Sequence, residues 1–245
     1  MISTFTRFTL ICLLAIFGII YQSRASLAIE VDLELVLAVD VSSSVDDVEA
    51  RLQKDGYLRA LVHPYVLDAI RSGPKGRIAV IYIEYAGKSF QRVVAGWTLM
   101  QDLKSARAFT RRLANSPLTS APSTSISALI DFSVNQILTN AFSAPRAVID
   151  ISGDGPNSDG RPVWDARDDA VLQGITINGL PILSSRPDPK GFAPSVGVAN
   201  HYRRFVIGGP GAFLIGVNEF ENFTPALVKK LVREILDPGR KLSMR

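Results

Sequence analysis

Leu33-Glu34-Leu35-Val36-Leu37-Ala38-Val39-Asp40-Val41-Ser42-Ser43-Ser44 is an apolar run that ends abruptly in one carboxylate and three hydroxyls. Leu35 to Val39 is too short and too continuously apolar for a half-exposed strand. It reads as a strand covered on both faces, as at the centre of a parallel α/β sheet. Asp40 then stands at the strand's carboxyl end, the edge where open α/β sheets bind their ligands. Serines two and four residues beyond an Asp put three oxygens on one tight turn, and hard donors of this kind suit Mg²⁺ or another small divalent cation. The same serines also suit a plainer role, capping the helix that follows.

Two more stretches bear on that choice. Ala147-Val148-Ile149-Asp150-Ile151-Ser152-Gly153-Asp154-Gly155 is a second strand of buried type, ending in an acid between glycines. Ser123-Thr124-Ser125-Ile126-Ser127-Ala128-Leu129 is a polar loop running into a helical pattern. With these three stretches the chain, from about residue 30 onward, resembles a von Willebrand factor A-like domain, and within that group a set of bacterial secreted proteins. The resemblance implies a metal-ion-dependent adhesion site, built from Asp-x-Ser-x-Ser on a first loop, a Thr on a second and an Asp on a third. The matching positions are Asp40, Ser42 and Ser44, then Thr124, then Asp154. One departure is Pro122-Ser123-Thr124, where many members have Gly-Gly-Thr or Gly-Asn-Thr, so Ser123 and Ser125 are alternatives to Thr124.

The rest of the chain is consistent with this fold. Val45 to Arg71 carries apolar residues at mainly helical spacing until Gly73-Pro74-Lys75-Gly76 stops it. Ile78 to Tyr85 and Ser89 to Trp97 read as a hairpin, which gives the sheet one antiparallel edge strand. Leu99 to Ala114 and Ile126 to Leu138 read as helices, then Arg161 to Gln173 as another. Ile175 to Leu183 and Ala212 to Val217 read as strands, and Phe223 to Leu236 as a last amphipathic helix. The expectation is a doubly wound α/β domain: a mostly parallel six-stranded sheet with helices on both faces. Ser184 to Gly211 reads as a long Pro- and Gly-rich loop, of a length that is often functional. Asp150, in mid-strand, requires a buried partner that the sequence does not name.

The ends and the composition set the setting. Met1 to Ala28 has Arg7 in a polar lead, an apolar run from Phe8 to Tyr21, and small residues through Ala28, the pattern of a cleaved secretory signal over residues 1–28 ahead of a domain over 29–245. An uncleaved anchor is the alternative, though the run is short for a span. The protein is therefore expected to be exported, to a periplasm or the medium, and to meet a membrane only if the leader is retained. The single cysteine, Cys12, lies in that leader, so the mature chain would have neither disulfides nor a thiolate metal site. Of 27 basic and 23 acidic residues, Arg7 and Arg24 would go with the leader, leaving a nearly neutral domain with no basic stripe for nucleic acid.

Two carboxylates and three hydroxyls nearly fill the shell of Mg²⁺ (or Mn²⁺/Ca²⁺), and a partner's Asp or Glu could complete it. The set holds no base to deprotonate a metal-bound water, so recognition is favoured over hydrolysis and the protein reads as a binding module, not an enzyme. A metal-dependent hydrolase and a structural domain with a vestigial site are the alternatives. His63 reads as structural. His201 reads as structural or as part of a binding surface.

Overall fold

The structure, a computed structural model, describes residues 28–183, 196–218 and 222–236. The expected leader, all but its last residue, lies outside the described residues, as does part of the loop after Leu183. Elements are numbered in chain order. β2 (Glu34–Asp40) is the middle strand of a five-stranded sheet of order β4 (Gln91–Met100), β3 (Ile78–Tyr85), β2, β6 (Ala147–Gly153), β7 (Ile175–Pro181). All its pairings are parallel except β3 with β4, the hairpin at the edge. β1 (Ile29–Glu30) and β5 (Phe142–Ser143) form a separate parallel pair.

Every residue of β2 is buried, because period-2 alternation sends its apolar side chains into two cores. Leu35, Leu37 and Val39 face Tyr57, Ile70, Phe109, Phe223 and Leu231. These come from α1 (Asp47–Ala60), α2 (Pro64–Arg71), α3 (Leu103–Ala114) and α7 (Phe223–Leu236). Val36 and Ala38 face Ile126, Leu129 and Ala166 from α4 (Ile126–Leu138) and α5 (Val163–Leu172), together with Tyr202 and Val206. Each such Leu or Ile contributes about 1.5–3 kcal/mol by burial.

Two expectations need correcting. The single helix over 45–71 is two, because Pro64 removes a donor and pushes the preceding residue out of the helical region. His63 is accordingly extended, at φ −69° and ψ 137°, and its Nδ1 accepts from Tyr65 N to cap α2. The sixth strand, 212–217, runs beside β7 without becoming a continuous ladder. It touches at isolated bridges, Gly179 to Leu214 and Ile182 to Val217. Pro181 supplies no N–H to extend the pairing, and Phe213 N donates instead to the Asn178 side chain, at 3.0 Å.

Asp150 finds its partner on α7. Lys230 Nζ donates to both Asp150 and Glu234, and all three side chains are fully buried. Asn178 Nδ2 donates to Glu234 Oε1 at 3.1 Å. Burial, then the charge of Asp150, pushes the Glu234 carboxyl up to about 7, and burial also raises Asp150. Among the described residues no helix is long and apolar enough to cross a membrane.

Candidate metal centre

β2 and β6 are neighbours in register, so their carboxyl ends deliver Asp40 and the Gly153-Asp154-Gly155 turn to the same edge of the sheet. Asp40 is fully buried. Its Oδ1 accepts from Ser42 N at 2.7 Å, which closes the chain into the turn that carries the serines. Ser42 Oγ lies 3.0 Å from Ser44 Oγ. Ser44 Oγ in turn donates to Asp154 Oδ1 at 3.0 Å, across 110 residues of sequence. The helix-capping role falls to a different residue. Asp46 caps α1, accepting from Val48 N and Glu49 N at 2.7 Å each, with Glu49 closing a capping box. Ser42 and Ser44 are thereby left to face Asp154.

Thr124 comes from a loop tied to both neighbours. Ala121 N donates to Val41 O at 3.1 Å, and Thr124 O accepts from Ser158 N at 2.8 Å and Asp159 N at 3.1 Å. Ser123 is held in the left-handed region at φ 65°, an uncommon conformation for a residue with a Cβ. Thr124 is buried, and its Oγ1 would lie 3.9 Å from a Cβ on Gly155. Ser125 is engaged elsewhere, capping α4 and donating to Asp159 O at 2.9 Å. Asp159 accepts from Lys88 N at 2.9 Å, which fastens the hairpin turn to the Asp154 loop. All five residues singled out in the sequence therefore stand at one edge. Hydrogen bonds link four of them, and Thr124 abuts the Asp154 turn.

A buried acid and a half-buried one close together oppose each other's ionisation. Burial first, then the charge of Asp154, pushes Asp40 up to about 8. Asp40 Oδ2 has no hydrogen-bond partner. Among the described residues, no group of three or more His, Cys, Asp or Glu gathers, so any cation here would be held largely by hydroxyls.

Two neighbours, Tyr85 and Tyr202, were missed in the sequence. Tyr85 pairs with Asp40 across the β2–β3 ladder. Tyr202 and His201 come from the segment read as loop, which instead forms α6 (Val198–His201) running into a π-helical turn over Tyr202–Val206. His201 Nε2 accepts from Asn157 N at 3.2 Å, and Asn157 Oδ1 accepts from Ser127 N at 2.9 Å. Burial lowers the His201 pKa, in keeping with its acceptor role.

A family profile described as "Protein of unknown function (DUF1194)" matches residues 30–239. The chain belongs to this family. A comparison with curated proteins gives no match. Among solved structures, this DUF1194 chain is similar to a von Willebrand factor type A protein from Catenulispora acidiphila, with a TM-score of 0.57 and 12% identity over 84% of this chain and 43% of that one. It is similar to the pilus adhesin SpaC of Lactobacillus rhamnosus GG, with a TM-score of 0.59 and 12% identity over 84% of this chain and 30% of that one. It is also similar to proximal thread matrix protein 1 of the mussel byssus, solved with a zinc-occupied MIDAS motif, with a TM-score of 0.53 and 12% identity over 85% of this chain and 48% of that one. The DUF1194 chain thus has a von Willebrand factor A-type fold, and it spans less than half the length of each of these proteins.

Proposed function

We propose that Asp40, Ser42, Ser44, Thr124 and Asp154 hold one divalent cation, Mg²⁺, Mn²⁺ or Ca²⁺, and that the cation engages a carboxylate on a partner protein. The observation that carries this reading is Asp40 itself: fully buried, pushed up to about 8 beside a second acid, and with Oδ1 turned to the serine turn that reaches Asp154. A carboxylate so placed is costly unless positive charge is supplied. The donor set fits such an ion, since two carboxylates and several hydroxyls are the hard oxygen ligands that Mg²⁺, Mn²⁺ and Ca²⁺ take. With only two anionic ligands the ion would keep net positive charge and attract an acidic group. The zinc-occupied MIDAS motif of the mussel protein and the adhesin among the similar structures support the same reading. Recognition is favoured over turnover because His201, the histidine nearest the Asp154 loop, has Nε2 engaged by Asn157 N. The leader over residues 1–28 and export to the periplasm or medium complete the proposal.

The test is thermal unfolding of the purified protein in chelator and then in excess Mn²⁺ or Mg²⁺, with Asp154→Ala alongside. Cation at about 100 times its dissociation constant adds about 2.7 kcal/mol, which for a domain of this size is roughly 5–10 °C. The wild type should show that shift and Asp154→Ala should not. Identical curves with every divalent cation would overturn the reading.

A further inference from the structure

Two buried polar atoms near the carboxyl edge of the sheet lack partners, and they are complementary. Asp40 Oδ2 is an acceptor without a donor, and Tyr202 Oη, with the Tyr85 hydroxyl beside it, has its own hydrogen uncommitted. They converge on one point above the sheet. A Cβ placed on Gly153 would stand 2.8 Å from Tyr202 Oη, 2.8 Å from Tyr85 Oη and 2.9 Å from Asp40 Oδ2. Tyr85 is held there by β3, with its hydroxyl donating to Ser152 O at 3.2 Å.

The path of the Tyr202 ring is cleared by a second glycine on the next strand. A Cβ on Gly179 of β7 would lie 2.7 Å from Tyr202 Cδ1. Two glycines on adjacent strands thus let one aromatic ring lie against the sheet and carry a hydroxyl to the back of Asp40. The other oxygen, Oδ1, is turned to Ser42 and the serine turn. Next to Tyr202, His201 holds the loop that carries Asp154 through Asn157 N. Adjacent residues of one segment therefore reach both acid-bearing elements.

We infer that Tyr202 is a positioning residue of the proposed cation site: its hydroxyl stands ready beside Oδ2 of Asp40 and donates to it once a divalent cation draws the carboxyl into its charged form, so that Oδ1 is presented to the ion. The inference rests on the cation-site reading. Donors behind a ligating carboxylate fix its orientation and favour its charged form, and losing such a supporting group typically weakens metal affinity 10- to 100-fold.

The experiment is a Mn²⁺ titration of the purified protein, wild type and Tyr202→Phe, paired with unfolding in chelator. Tyr202→Phe should keep the unfolding midpoint in chelator, since it removes only an unpaired buried hydroxyl, and should bind Mn²⁺ 10- to 100-fold more weakly. Phe205→Leu, a packing change on the same segment, should lower the midpoint and leave the affinity within about twofold of wild type. Gly179→Ala, which displaces the ring without touching its hydroxyl, should reproduce the loss of affinity and gives a second route if Tyr202→Phe does not fold. Wild-type affinity in a folded Tyr202→Phe or Gly179→Ala would overturn the role of Tyr202 and leave the cation site standing. A wild type that binds no Mn²⁺ would overturn both.

Discussion

Asp40 and Asp150 lie on neighbouring strands of one sheet, both fully buried and both with carboxyls raised by burial. They differ in what the fold supplies to them. Around Asp150 the chain provides its own cation, Lys230, and a second carboxylate, Glu234, with Asn178 as a further donor. Around Asp40 it provides the Ser42 amide, nearby hydroxyls and a second acid, and among the described residues no Lys or Arg pairs with it. The first arrangement is complete within the core and reads as structure. The second is a set of oxygens at the sheet's edge with no Lys or Arg paired to Asp40 among the described residues, and it is this lack of positive charge on which the proposed cation site rests.

The contrast is broken most severely by removing the internal cation. Lys230→Met leaves Asp150 and Glu234 facing each other in the core, and urea unfolding should show a loss of about 3–5 kcal/mol, with no rescue by divalent cations. The external cation comes next: Mn²⁺ at about 100 times its dissociation constant should add about 2.7 kcal/mol to the wild type and nothing to Asp154→Ala.

A pH series sharpens the comparison from the core side. The Glu234 carboxyl is raised from 4.5 to about 7 in the folded protein, so the folded state binds that proton more tightly than the unfolded state. Its stabilisation is present in full below about pH 4.5, declines as pH rises through about 7, and is absent above, an effect on the order of 3 kcal/mol. Urea midpoints of Asp40→Asn, which removes the raised acid at the sheet edge and leaves the Asp150–Glu234 pair, should fall across this window. Adding Glu234→Gln should flatten the fall. The smallest effect is local: Asp46→Ala removes the capping box of α1 and should cost about 1 kcal/mol in urea unfolding, with the Glu234-dependent pH profile unchanged.

Much of this contrast could be read in the sequence, for identifiable reasons. β2 and β6 are apolar runs closed by acids, and a run closed by an acid marks both a buried strand and the edge where it ends. The five candidate residues fell at that edge because strand order and register put the carboxyl ends of β2 and β6 side by side. What could not be read was pairing across distance. Lys230, eighty residues beyond Asp150, carries no local sign of its partner. Tyr202 lies in a stretch whose Pro and Gly content masks any periodicity, and its role depends on Gly153 and Gly179 clearing the same path on two strands. The sixth strand was misread because an apolar run records burial but not whether the neighbouring edge has donors, and Pro181 lacks one. The break at His63 was legible in principle, since Pro64 forbids the continuous helix that the spacing suggested.

The most direct measurement is Mn²⁺ binding stoichiometry by electron paramagnetic resonance on three proteins: wild type, Asp40→Asn and Asp150→Asn. Wild type should bind one ion per chain. Asp40→Asn should fold, with a midpoint in chelator no lower than wild type, and bind none, while Asp150→Asn should unfold at lower urea yet still bind one. Retention of the ion by Asp40→Asn, or its absence from a folded wild type, would contradict the assignment of Asp40 to an external cation.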